Sequence, residues 1–243
     1  MRAVSYSVLF RQFPLDQLDA LAPVVAQVYG ITDYDARAKI RKGWGFLERD
    51  ATEDVARNVA AALGDVVLVV DNATLHEPGD PQTMTAFERE KIPWSDIAIV
   101  AAGGFPEEIV RRDTGGIKTG KMLVGLGVFM VTGVPMGLFR GKDKKEAKPV
   151  KSTRLITFGS VITRQGEQLA FSPDKFDFSG LGAQKQLNTA ANFHALIAEF
   201  KRRTPARLNL GAQFVLANKS LTLANYQGLR DYETELLWLL NTS

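Results

Sequence analysis

Residues 122–139, MLVGLGVFMVTGVPMGLF, carry no charge and run straight into the lysine-rich stretch RGKDKKEAKPVK. Nothing else in the chain limits the fold so strongly, because such a run must either enter lipid or be sheltered by protein. As a helix rising ~1.5 Å per residue it would reach roughly 27 Å, just short of a hydrocarbon layer of about 30 Å. Lys118 and Lys121 precede it and a basic cluster follows, which suits contact with anionic lipid. Gly133 and Gly137 also have the small-xxx-small spacing of packed membrane helices. Backbone chemistry opposes this. Gly125, Gly127, Gly133, Gly137 and Pro135 make a poor helix, and VTGVPMG reads as a turn between two short apolar strands. Segments on both sides read as strands of one sheet, which a single membrane crossing would separate. The expectation is therefore a buried or edge hairpin, with membrane contact by a re-entrant segment as the alternative.

The basic cluster also dominates the charge distribution. Residues 140–154 hold seven Lys or Arg against two acids, a local +5 in a chain of net +3, so the remainder carries −2. Basicity confined to one segment, centred on Lys142, Lys144, Lys145 and Lys148, argues against a broad nucleic-acid-binding face. It reads as a solvated loop, or as a contact for an acidic membrane surface. The chain has no cysteine, which excludes disulfides, zinc–thiolate sites and cysteine nucleophiles and fits a reducing cytoplasm. MRAVSYSVLFRQFPLDQLDA has neither the apolar core nor the cleavage site of a secretory signal. A cytoplasmic location is expected, with a peripheral position at the cytoplasmic membrane face as the alternative.

Residues 1–72 read as a compact α+β unit. A strand over residues 4–10 precedes an amphipathic helix, in which Leu15, Leu18, Leu21, Val25 and Val28 recur at helical spacing between Pro14 and Gly30. A second short helix is capped by Thr32 or Asp33 and stops near Gly43; a third is capped by Thr52 and ends at Gly64. DVVLVVD reads as an inner strand, and WGFLE leaves room for another. GITDYDARAKIRKGWGFLERDATEDVARNVAAAL resembles the C-terminal domain of ribosomal stalk protein L7/L12. That family's turn-helix motif falls on Gly30, Ile31, Ala36, Arg37 and Ile40, and its helix start on Thr52–Ala56 without a gap. The resemblance implies a βαα(β)αβ fold over about forty-five residues. It does not carry over translation-GTPase recruitment, because Pro23 and Tyr34 stand where the family usually has lysines and only Arg37 stays basic.

Residues 73–92 read as a linker containing Pro78, Gly79 and Pro81. Residues 93–204 read as a mixed, mostly antiparallel β-rich unit. It has strands at IAIVAAGGF, RLITFGSVIT and EQLAFSPDKFDFS, a hairpin turn through Gly166, and a helix over 188–204 with Phe193, Leu196, Ile197 and Phe200 inward. This pattern resembles the pleckstrin-homology-like (PH-like) architecture. FDFSGLG, NF and ETELLWLL together resemble a group of uncharacterised bacterial proteins that join such units, a resemblance that brings no activity with it. Residues 205–243 form a C-terminal extension with an amphipathic helix marked by Leu229, Tyr232, Leu236 and Leu240, its face broadened by Trp238 and Leu239. The helix is expected to dock on its own domain, the alternative being a partner-binding role.

Reactive chemistry is sparse. GGIKTGKM matches G-x4-G-K, but Met122 stands where a magnesium-binding Ser or Thr belongs. His76 and His194 lack partners at metal spacing, and Asp174 with Asp177 reads as turn chemistry rather than a catalytic pair. No cofactor or metal is expected. The chain reads as a non-catalytic interaction or adaptor protein for a protein partner, the alternative being a peripheral membrane or acidic-lipid binder through residues 122–139 and 140–154. The candidate interaction residues are Tyr34, Arg37, Trp44, Lys142, Lys144, Lys145, Lys148 and Trp238.

Overall fold

The computed structural model describes residues 4–86, 92–111 and 150–242, and the architecture is α+β with two sheets. The chain opens with β1 (Tyr6–Phe10), then a 3-10 turn led by Pro14 into α1 (Leu18–Tyr29). Gly30 ends α1 in the left-handed conformation, its N–H returning to the last turn. In α2 (Asp33–Lys42), the Thr32 hydroxyl accepts from the Asp35 N–H at 3.1 Å, which settles the capping residue. After β2 (Phe46–Ala51), Thr52 caps α3 (Glu53–Leu63), and β3 (Val67–Asp71) completes a sheet of order β2-β1-β3, antiparallel throughout.

Alternation along β1 gives this sheet two apolar faces. Val8 and Phe10 pack against α1, α2 and α3 with Val25, Ile40 and Val59; Leu9 points to the opposite side. The reading of DVVLVVD as an inner strand is corrected here, since β3 is an edge strand paired only with β1. Its continuous apolar run reflects two covered faces instead. Val67 and Val69 join the helix-side core, and Val70 joins the core opposite.

Residues 72–86 are held more firmly than a bare connection. The Asn241 side chain brackets His76, accepting from its N–H (2.8 Å) and donating to its C=O (3.0 Å), and the Gly79 N–H donates to Gly166 O. β4 (Gln82–Thr83) then adds to the second sheet. That sheet contains β5 (Ile97–Arg111), β6 (Val150–Thr163), β7 (Gln168–Phe171) and β8 (Arg207–Leu208), in the order β4-β7-β6-β5-β8. The three central strands are antiparallel, whereas both outer strands run parallel to their neighbours. The hairpin through Gly166 is present, the Gly166 N–H donating to Thr163 O.

One face of the second sheet is covered by α4 (Thr189–Arg203) and α5 (Leu210–Leu216); Val100, Ala102, Val161 and Phe171 meet Phe193, Ile197 and Phe200 there. The other face presents Ile99, Ala101, Phe158 and Ile162 to α6 (Leu229–Asn241). The same cluster takes Leu9, Trp44 and Phe46 from the first sheet's side. Thus α6 is the middle layer between two sheets, not a helix docked on one domain. Trp238 records this at the atomic level, its indole Nε1–H donating to Phe10 O at 2.6 Å.

β5 and β6 stay paired out to Arg111↔Val150, whereas β7 and β8 accompany them only near 159–162 and 99–100. Their outer halves form a two-stranded ribbon. The apolar run 122–139, the GGIKTGKM motif and Lys142, Lys144, Lys145 and Lys148 lie outside the described residues. Residues 150–154, expected in the solvated basic loop, belong to β6.

Candidate functional site

Packing two sheets across one helix leaves an edge where the layers part. There, the end of α2 and the start of β2 face the loop preceding α6 and the first turns of that helix. Between them lies an open cleft of about 860 Å³. Its floor is apolar, with Trp44, Phe46 and Leu47, and its walls carry Lys39, Arg41, Lys42, Arg49 and Arg230 against Glu48 and Asp231.

The acids on these walls are already engaged. Glu48 takes Lys39 at 2.6 Å, and Asp231 accepts from the Gln227 N–H at 2.8 Å. Arg41, Lys42, Arg49 and Arg230 hold no carboxylate in an ion pair among the described residues. Arg41 and Lys42 sit in the last turn of α2, where cations offset the helix dipole. Arg49 and Arg230 lack that explanation. The Arg49 guanidinium lies over the Phe46 ring, 4.6 Å from its centroid. Partial desolvation pulls it below its ordinary pKa and Arg230 adds to this, while Asp50 and Glu77 pull the other way. Two guanidiniums from distant parts of the chain therefore converge on one cleft.

Behind the floor lies a buried polar network. Tyr226 stacks on Trp44, with ring centroids 4.6 Å apart, and its hydroxyl donates to Glu235 Oε2. Glu235, 1% exposed, also accepts from the Leu210 N–H (2.7 Å) and from Asn209 Nδ2 (3.3 Å). Asn209 is fully buried: its Oδ1 accepts from the N–H groups of Ala102 and Ala212, and its Nδ2 also donates to Ala102 O and the Tyr226 hydroxyl. Burial pushes the Glu235 carboxyl up to about 7, although the hydrogen bonds from Tyr226, Leu210 and Asn209 favour the ionised form. Every polar atom of the Asn209 and Glu235 side chains has a partner, so this is an anchor tying α5, the 225–228 loop and α6 to β5.

The described candidate interaction residues lie in different places. Tyr34 is 81% exposed on the first turn of α2, at the opposite end of that helix from the cleft. Arg37 is held by Asp19 and by Asp33 (2.9 Å), tying α1 to α2. Trp44 and Trp238 are buried, 7% and 3% exposed, and of the two only Trp44 shows an edge in the cleft. Both pack against the Phe13 ring, with centroids 6.2 and 5.3 Å away. Arg49 and Arg230 were not singled out from sequence. No local pattern joins FLERD to GLRDY, and only the α6 sandwich brings them together.

Of the other candidates, Asp177 caps a 3-10 turn through the Ser179 N–H and hydroxyl, which hold its carboxyl below the usual range. His194 Nε2 lies 3.4 Å from Leu216 O. Among the described residues no group of three or more His, Asp or Glu could hold a metal ion, and no helix is long and apolar enough to cross a membrane. The chain matches no family model, no curated protein and no solved structure.

Proposed function

We propose that this protein is a non-catalytic, cytoplasmic adaptor that uses the cleft to dock an acidic segment of a protein partner. In this reading an L7/L12-like unit and a PH-like sheet serve as scaffolds clamped by α6, and neither contributes a reactive centre. The observation that carries it is the convergence of Arg49 and Arg230, without carboxylate partners among the described residues, on a cleft floored by aromatic and aliphatic side chains. Electrostatic complementarity steers an acidic chain to such a site, and the apolar floor holds it.

The test is fluorescence anisotropy of a labelled Glu/Asp-rich peptide. Binding is expected to weaken as salt rises and to be lost in the double variant R49E/R230E. Arg57→Glu, on the exposed face of α3, should leave it unchanged. Equal losses in both variants would reduce the effect to net charge and count against a defined cleft.

A second reading, peripheral binding to acidic lipid through 122–139 and 140–154, draws support from the β5–β6 register. The pairing Arg111↔Val150 brings both ends of the intervening segment to one place. Any lipid contact by that segment would enter and leave on one side, which removes the objection that a single crossing would split the sheet. Co-sedimentation with anionic vesicles that falls with salt would support this reading, and absence of co-sedimentation at low salt would end it.

A further inference from the structure

We infer that the Arg49–Arg230 pair is built to receive a doubly charged phosphoryl group, so that the partner segment is a phosphopeptide; this rests on the reading of the cleft as an acidic-segment site. The placement of Arg230 runs against the interest of the free protein. Arg230 lies in the first turn of α6, where the helix dipole disfavours a cation. Arg49 stands within the field of Arg230, which opposes its charge, while Asp50, the stronger influence, and Glu77 favour it without either forming an ion pair with it. A site that brings like charges together without pairing them is completed by a ligand of opposite charge.

The ligand's charge follows from the number of cations. A single carboxylate neutralises one guanidinium, whereas a phosphate monoester carries about −1.5 to −2 at neutral pH and offers three acceptor oxygens. Two planar forks can each engage it through paired N–H donors. The Phe46 ring, 4.6 Å from the Arg49 guanidinium carbon, gives that fork a fixed neighbour on the cleft floor.

The surroundings set the polarity of the flanking sequence. On one side the cleft continues to Arg41 and Lys42; on the other, Arg49 and Arg230 border a second cleft of about 330 Å³ that carries Glu77, Asp80 and Glu233. Acidic residues therefore fit on one side of the phosphoresidue, and a lysine or arginine fits on the other. A nucleic-acid strand, anionic along its whole length, would meet those three carboxylates.

The experiment uses the full chain and one labelled peptide in four forms: phosphoserine with glutamates on one side and lysine on the other, the same with serine, the same with glutamate, and the phosphopeptide with its flanks exchanged. The first is expected to bind at least about tenfold more tightly than the glutamate form, a difference of ~1.4 kcal/mol. Flank exchange should weaken it. Arg49→Lys, which keeps the charge but not the fork, should abolish the preference. Arg49→Gln and Arg230→Gln should do the same, and Arg230→Gln should also raise the Tm of the unliganded protein, because it removes a cation from the first turn of α6. Equal binding of the phosphoserine and glutamate forms would overturn this inference and leave the acidic-segment reading standing; binding of neither would remove both. A lowered Tm in Arg230→Gln would show that Arg230 is structural and overturn the inference. Arg49-dependent binding of RNA or anionic vesicles in preference to the peptide would also overturn it.

Discussion

At Gly45 φ is 95°, and a Cβ there would lie 2.2 Å from Cγ of Trp238. Trp44 beside it also has a positive φ, 48°, so the chain turns from α2 into β2 through two consecutive left-handed residues. That turn sets Trp44 on Tyr226 and lets the Gly45 carbonyl accept from the Phe10 N–H at 2.8 Å. Gly45→Ala should therefore destabilise the fold by about 3 kcal/mol through strain and overpacking, read as a lowered urea midpoint. Gly180→Ala, where nothing lies within 4 Å, should shift it by less than about 0.5 kcal/mol. Glu235 gives a second prediction at this scale. Its carboxyl titrates near 7 in the fold against an ordinary 4.5. Between these values the native state keeps a proton that the unfolded chain releases. Its stabilisation is therefore complete below about pH 4.5 and is lost as pH rises through 7. Glu235→Gln can still accept from the Leu210 N–H, so the slope of stability from pH 5 to pH 8 should flatten in that variant; an unchanged slope would assign it to other groups.

Among the elements, α6 carries the most consequence. Its run ELLWLL is apolar well beyond one helical stripe, and the sequence carried that signal. What it could not convey was the identity of the second neighbour, because periodicity reports that a face is covered and not what covers it. The same limit explains β3, where an uninterrupted apolar run marks two covered faces and reads equally as a central strand. Several helix ends were legible from local chemistry, as at Thr52 and Gly30, whereas the α2 cap stayed open between Thr32 and Asp33, and the turn after Pro14 is 3-10 before α1 begins at Leu18. The two-residue strands β4 and β8 were not legible, because so short a segment has no periodicity to display. Trp238→Ala should destabilise by about 3–5 kcal/mol, the range for removing a large core aromatic. In hydrogen exchange, amides of β5 near Arg111 should exchange faster than those near Val100, since only the inner half of the strand is flanked by β8 as well as β6.

For the whole molecule, each sheet has one core of its own against its helices, and one further apolar cluster draws on both sheets and α6, so each sheet's second face is buried only in the assembled fold. Far-UV and near-UV circular dichroism should follow a single unfolding transition, with the two traces coincident in urea. Separate midpoints would show that the sheets fold independently and that α6 is a removable bridge. The candidate site belongs to this scale too. Trp44 could be singled out as a large aromatic near a turn, but Arg49 and Arg230 acquire their meaning only once α6 lies between the sheets.

The claim that this junction is the working surface is tested most directly by titrating the isotope-labelled protein with an acidic peptide and following its backbone and indole resonances. The account predicts shifts clustered on Gly43, Trp44, Arg49, Asn225, Gln227 and Arg230, which line the cleft from both halves of the chain. Shifts centred on Tyr34, or in residues 112–149, with the cleft resonances unmoved, would contradict it.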